Sequence, residues 1–424
     1  MIRYHDLPNW CATALIILMM VVGCNETNTR SSTQGPLSAM PAPLTPAQGA
    51  SSNGTTTSAA LRARLEWAIS IAERIPSPSF DRDRARMREA IVEAALARGW
   101  LDAARDAARG TQGWRRGEAQ VSVAQALNAV GRSQEADDLV AEAMSLDSSQ
   151  WPDWARARVQ AACAAYRIAK GDDGLAMELL RGPDAALAGG VQVARTAVLP
   201  PEHLVDQERM FERAIATKNF DLAKTGIDGQ FALLRRWKDQ PADLERVLAA
   251  TASAIKGLPI DLQVRYECDL ALLLDSLGRG KDALAALSRG AYLAGSTQFL
   301  PEDVIPVGVR VAIAQWRLGL REEARSQSDS LTRTYDSLES NIVDMKRATS
   351  LRALAELRAT LGETDAARAL YARALDAALL NPNSRPRADD ICMVVCSMAT
   401  AGVEPDARLC ATLDATGARL GAPW

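Results

Sequence analysis

The chain has 424 residues, 48% of them hydrophobic and 24% charged, which is enough apolar side chain for a core and excludes a natively disordered polymer. Aromatic residues make up only 5%, while Ala, Leu and Arg dominate; these good helix formers exclude a β-rich fold and predict an all-α protein. A formal net charge of -3 and an isoelectric point near 5.7 exclude a general attraction to nucleic acid.

Residues 1–23 have the form of an export signal. Arg3 sits in a short polar start, and an apolar run from Cys11 to Val22 follows. That run is too short to cross a bilayer comfortably, which takes about 20 apolar residues. It ends in Val21-Val22-Gly23-Cys24, which resembles the lipobox of bacterial lipoproteins, although Asp6 and Pro8 depart from the usual start. The resemblance implies cleavage before Cys24 and acylation of its thiol. More than one acyl chain is needed for stable anchoring, and such lipidation supplies it. It also implies an envelope protein held on the extracytoplasmic side. If the host has an outer membrane, Asn25 resembles sorting to it. Residues 24–59 would then be the lipidated Cys and a disordered tether, rich in Ser, Thr and Pro and nearly uncharged.

From residue 60 to about 420, apolar residues recur at helical spacing and short turns interrupt them. One element repeats eight times: a turn residue, then Ala five positions later. The pairs are Gly99/Ala104, Gly131/Ala136, Gly171/Ala176, Lys218/Ala223, Gly278/Ala283, Gly319/Ala324, Gly362/Ala367 and Gly402/Ala407. Gly accepts the left-handed conformation that ends a helix. Ala lets the following helix approach closely. Eight residues before each turn the side chain is apolar, from Ile91 to Val394.

This pattern resembles the tetratricopeptide repeat, most closely at Val123-Ala124…Gly131…Ala136 and Leu354-Ala355…Gly362…Ala367. The resemblance implies a right-handed superhelix of about eight antiparallel helix hairpins, an α-solenoid, over residues 60–420. Turn spacings of 32, 40, 47, 60, 41, 43 and 40 depart from the family's roughly 34. The segments 183–203 and 238–260 are insertions, and the second is a candidate break in the array.

No nucleophile elbow, phosphate loop or dinucleotide fingerprint is present. His5 leaves with the signal, so His203 is the remaining histidine, too few for a His-rich metal site. No catalytic role, metal or other cofactor is expected. The pairs Glu322-Glu323 and Asp389-Asp390 fall at predicted helix starts, where they complement the helix dipole. Cys396 and Cys410 could meet as a disulfide across the terminal hairpin. Alternatively, all five remaining cysteines are small buried apolar residues.

What remains is a binding surface. In the tetratricopeptide family the groove is lined six and ten positions before the turn. Here that implies Glu89, Glu93, Gln125, Glu208, Glu212, Leu272, Val309, Ile313, Arg352 and Glu356, with Trp316 three before its turn as an apolar anchor. The expected function is a membrane-anchored scaffold of the cell envelope that binds another protein or peptide. The alternative is a glycan-binding lipoprotein, which would show exposed tryptophans.

Overall fold

The computed structural model describes residues 54–179, 189–217, 219–296 and 298–424. The export signal, Cys24, most of the tether and Lys218 lie outside the described residues. The first helix starts at Gly54, inside the expected tether.

Among the described residues there are nineteen α-helices and no strand. They alternate between two layers. The inner helices are α2 (Asp81–Ala97), α4 (Trp114–Ala129), α6 (Asp153–Ala169), α8 (Gly189–Val198) and α10 (Phe220–Arg236), then α12 (Ile260–Ser276), α14 (Pro301–Arg317), α16 (Asp344–Thr360) and α18 (Ser384–Ala401). The outer helices are α1 (Gly54–Glu73), α3 (Leu101–Arg109), α5 (Ser133–Met144), α7 (Asp173–Leu179) and α9 (Leu204–Ala216). They continue with α11 (Pro241–Lys256), α13 (Gly280–Ser296), α15 (Arg321–Leu338), α17 (Thr364–Ala378) and α19 (Ala407–Ala418). Each inner helix packs against its own outer partner and, except between α10 and α12, broadly against the next inner helix. At α10 and α12 the inner contact is made by Phe231 and Tyr266, edge to face at 6.0 Å.

The turns follow from the sequence. All seven predicted turn glycines have positive φ, between 70° and 84°. The residue after each one donates to the carbonyl five positions before it, as Arg132 does to Leu127 at 2.9 Å and Glu363 to Arg358 at 2.9 Å. This is the Schellman closure that satisfies a helix's last carbonyls. Seven of the eight predicted alanines are buried, at 7% exposure or less. Ala407 is the exception and is exposed. There Glu404-Pro405-Asp406 delays the helix, and Asp406 caps it by accepting from the Leu409 N–H at 2.7 Å.

The array does not remain open. The last inner helix, α18, packs on α1 and α2, so the inner helices form a closed circuit of nine. One hydrophobic cluster accordingly joins Leu61, Ile71 and Ile91 to Ile391, Leu413 and Leu420. Across the seam, Arg64 pairs with Asp414 at 2.5 Å, and Arg74 donates to the carbonyls of Gly417 and Leu420. Arg86 pairs with Asp389 at 3.2 Å and Arg385 with Asp83 at 3.4 Å. Gly417 lies so close to Trp67 that a Cβ there would stand 2.8 Å from the indole.

Two expectations change. Among the described residues there are nine hairpins rather than about eight, because 189–203 and 238–260 contribute helices to the array. The first contains the inner helix α8, and the second contains the outer helix α11. Arg236 of α10 donates to the carbonyls of Ala197 and Leu199 at the end of α8, which puts both helix ends at one opening. The Lys218 turn therefore joins an outer helix to an inner one, the reverse of the other seven.

Candidate functional site

Nine helices side by side at about 8–10 Å would set their axes on a ring roughly 23–29 Å across, and subtracting a helix width of about 10–12 Å would leave a lumen of roughly 11–19 Å. The wall is stitched by ion pairs between successive inner helices. Glu89 of α2 takes Arg115 of α4, and Glu118 of α4 takes Arg158 of α6 at 2.7 Å. Farther round, the Tyr266 hydroxyl donates to Asp228 at 3.3 Å.

Several lumen carboxylates feel protein on all sides while keeping contact with solvent. Glu93 is exposed, yet desolvation followed by the neighbouring Glu89 charge raises its pKa. Burial pushes the Asp228 carboxyl up to about 7 against the favourable charge of Arg265, and it raises Asp269 against Arg310 and Arg265. Asp390 is also pushed up to about 7, by burial and then by Asp389, with Arg352 and Lys346 opposing. The lumen is thus of mixed charge, with no single-sign field.

The expected groove residues divide. Glu89, Glu93, Gln125, Leu272, Ile313, Arg352 and Glu356 stand on inner helices and keep some exposure; Arg352 and Glu356 pair with each other at 2.8 Å. Glu208 and Glu212 stand on the outer helix α9. Glu208 is 3% exposed and paired with Arg246 of α11, so it is a structural carboxylate. The inverted phase at Lys218 is the reason. Val309 is buried in the core at 4% exposure, so it offers no apolar contact to a ligand. Trp316 faces the turn into α15, with the Arg321 guanidinium 3.7 Å and that of Arg325 5.4 Å from its ring centre. It is half-buried on the side that holds these two guanidiniums.

The Cys396–Cys410 pair is not formed, and all five described cysteines are free. Cys396 is buried on the lumen side near Arg352 and Glu93, and burial pushes its thiol up to about 12. Cys410 is half-buried on the outer layer beside Arg64. Cys392 donates weakly to the Ala68 carbonyl at 3.4 Å across the seam. His203 is exposed in a short 3₁₀ turn.

Of the six tryptophans that bear on a glycan platform, Trp154 is exposed, Trp237 is buried and Trp67, Trp100, Trp114 and Trp151 are half-buried. Trp154 packs edge-on to Trp114 at 5.2 Å.

The sequence gives no reading of Asp228, Asp269 and Arg310, and it places Asp390 at a helix start, whereas Asp389 and Asp390 stand in the second turn of α18. Asp269 and Arg310 each stand nine residues before a turn Gly, so the repeat register was a usable signal for them. No group of three or more metal-ligating side chains occurs among the described residues, and no helix there is long and apolar enough to cross a membrane. No protein-family model, curated protein or solved structure matches the chain.

Proposed function

We propose that this chain is a binding module of degenerate tetratricopeptide-like hairpins, wound right-handed and closed into a ring, which holds an extended peptide or a single helix of a partner protein in its lumen. The supporting observation is the lumen itself: desolvated yet solvent-open charged side chains on successive inner helices, in a space that admits one helix about 10–12 Å wide. Desolvated polar groups favour a ligand that pairs with them, because water is already partly excluded. In this proposal Cys24 carries a lipid anchor and residues 25–53 tether the ring to the envelope surface. A glycan ligand has the support of Trp154 alone.

Photo-crosslinkers placed at Glu93 and Arg310, inside the lumen, should capture a partner in intact cells. The same groups at Glu323 and Arg333, on the outer layer, should not. Capture from the outer positions only would remove the lumen from consideration. The anchor is tested separately: Cys24→Ser should abolish incorporation of labelled fatty acid, and unchanged labelling would refute it.

A further inference from the structure

The two openings of the ring expose different chemistry. All inner helices begin at one opening, where the chain enters them from the outer layer. On that opening Ile260, Tyr292, Leu300, Val343 and Leu380 are exposed, from 39% for Ile260 to 72% for Tyr292. Ile260, Leu300, Val343 and Leu380 stand at or just before the starts of α12, α14, α16 and α18, which are consecutive neighbours in the ring, and Tyr292 stands near the end of the outer helix α13 between the first two. They therefore form one arc. At the other opening Val130, Leu175, Val205 and Leu284 are exposed, each on a different hairpin. Single exposed apolar residues need no explanation, whereas a contiguous set marks an interaction surface.

Three carboxylates and one facing ammonium, Lys346, stand beside the arc. Asp261, Glu302 and Asp303 lie together. Burial, then Glu302 and Asp261, hold the Asp303 carboxyl above its ordinary range against Lys346. No ion pair among the described residues takes up these three carboxylates. The nearby guanidiniums are already engaged, Arg347 with Asp344 at 3.0 Å and Arg385 with Asp83 at 3.4 Å. Helix dipoles explain acids at helix starts, but they do not explain the apolar side chains exposed beside them.

We propose that this arc is a docking surface for a protein segment bearing both basic and apolar side chains, laid across the starts of α12 to α18. The proposal rests on the ring being a binding module and names where and what it binds. Two copies docked face to face would oppose like carboxylates, and an anionic lipid surface would be repelled in the same way. The first helix, α1, starts at the opposite opening, so the preceding residues join the ring away from the arc.

The test uses the full-length chain and a labelled model peptide of Lys and Leu that forms an amphipathic helix. The parent should bind it in a salt-sensitive way. Leu300→Ser/Val343→Ser/Leu380→Ser should weaken binding about tenfold or more, and so should Glu302→Lys/Asp303→Lys. Val130→Ser/Leu284→Ser at the other opening should bind as the parent does. All these side chains are surface groups, and unchanged far-ultraviolet circular dichroism checks the fold. Binding by the triple variant equal to the parent's, or equal loss in the control, overturns the proposal. So does a triple variant that changes only sedimentation or binding to phosphatidylglycerol vesicles, which would make the occupant a second copy or a lipid surface. If the arc variants keep the peptide and a Glu93→Lys/Arg310→Glu variant loses it, the arc fails while the ring as a binding module survives. If the parent does not bind the peptide at all, the arc proposal fails, and the crosslinks from Glu93 and Arg310 then decide the module separately.

Discussion

Gly131 has φ of 82° and nothing within 4 Å of where its Cβ would stand. Replacing it with Ala therefore tests backbone conformation alone, and Gly131→Ala should cost roughly 1 kcal/mol. Ala136, five residues on, poses the opposite problem: its backbone is ordinary and its space is full, at 0% exposure. Ala136→Leu, Ala283→Leu and Ala367→Leu should each cost about 1–3 kcal/mol by overpacking, read from the denaturation midpoint. A shift as small as that of an exposed control such as Asp138→Ala would count against the packing role. Arg132 would be a poor control, because it bridges Asp102 of α3 and Glu135 of α5. Turn glycines and hairpin alanines are legible in sequence because each answers a local demand that few other residues meet. Ala407 was misplaced because the Pro405 turn, with its own Asp cap, moved the helix start.

Among elements, the segment from α8 to α11 shows what periodicity cannot decide. An amphipathic pattern reports that one face of a helix is buried, without saying whether the helix is inner or outer. Elsewhere the positive-φ glycine marks each inner-to-outer turn. After α8 that turn is made by Pro200-Pro201, and after α10 by the residues between Trp237 and Gln240, with no such glycine. Lys218, followed five residues on by Ala223, fits the repeat pattern in place of such a glycine, and that register puts Glu208 in the groove. In the structure the buried Glu208 holds Arg246 and so ties α9 to α11. Glu208→Lys should destabilise the fold by roughly 3 kcal/mol or more through an uncompensated buried charge. Glu212→Lys, at an exposed position of the same helix, should stay within about 0.5 kcal/mol. Equal midpoints for the two variants would mean that α9 is not an outer packing helix.

For the whole ring, the lumen carboxylates link stability to pH. Asp228 and Asp390 have pKa values raised to about 7 in the folded chain, whereas an unfolded Asp titrates at about 4. Between those values the folded chain binds protons that the unfolded chain has released. Their contribution is therefore fully present below about pH 4 and is lost as pH rises through about 7. Thermal midpoints should rise as pH is lowered from about 8 to about 6, and Asp228→Asn/Asp390→Asn should flatten that rise. A parent profile that is level over this range would contradict the desolvation ascribed to the lumen. Closure makes a second whole-ring expectation. An open array that loses its last hairpin loses about one repeat's share of stability. Deleting residues 384–424 here also strips α1 and α2 of their neighbour, so the unfolding transition should collapse rather than shift slightly. Closure could not be read from sequence, because nothing local couples Arg64 to Asp414 across 350 positions.

That separation sets an order of events during synthesis. The seam helix α1 is made early, with Leu61, Leu65, Ala68, Ile71 and Ala72 on the face that the closed ring buries. Its partners Asp414 and Gly417 are made nearly last. At about 5–20 residues per second, the roughly 350 intervening residues take on the order of 20–70 s to emerge. Throughout that interval α1 has α2 to pack on but not α18 or α19. The apolar face waits as exposed surface on a growing chain, and a chaperone or a neighbouring nascent chain can occupy it first. The vulnerability of this architecture therefore lies in its biogenesis, at its first helix, until its last hairpin arrives.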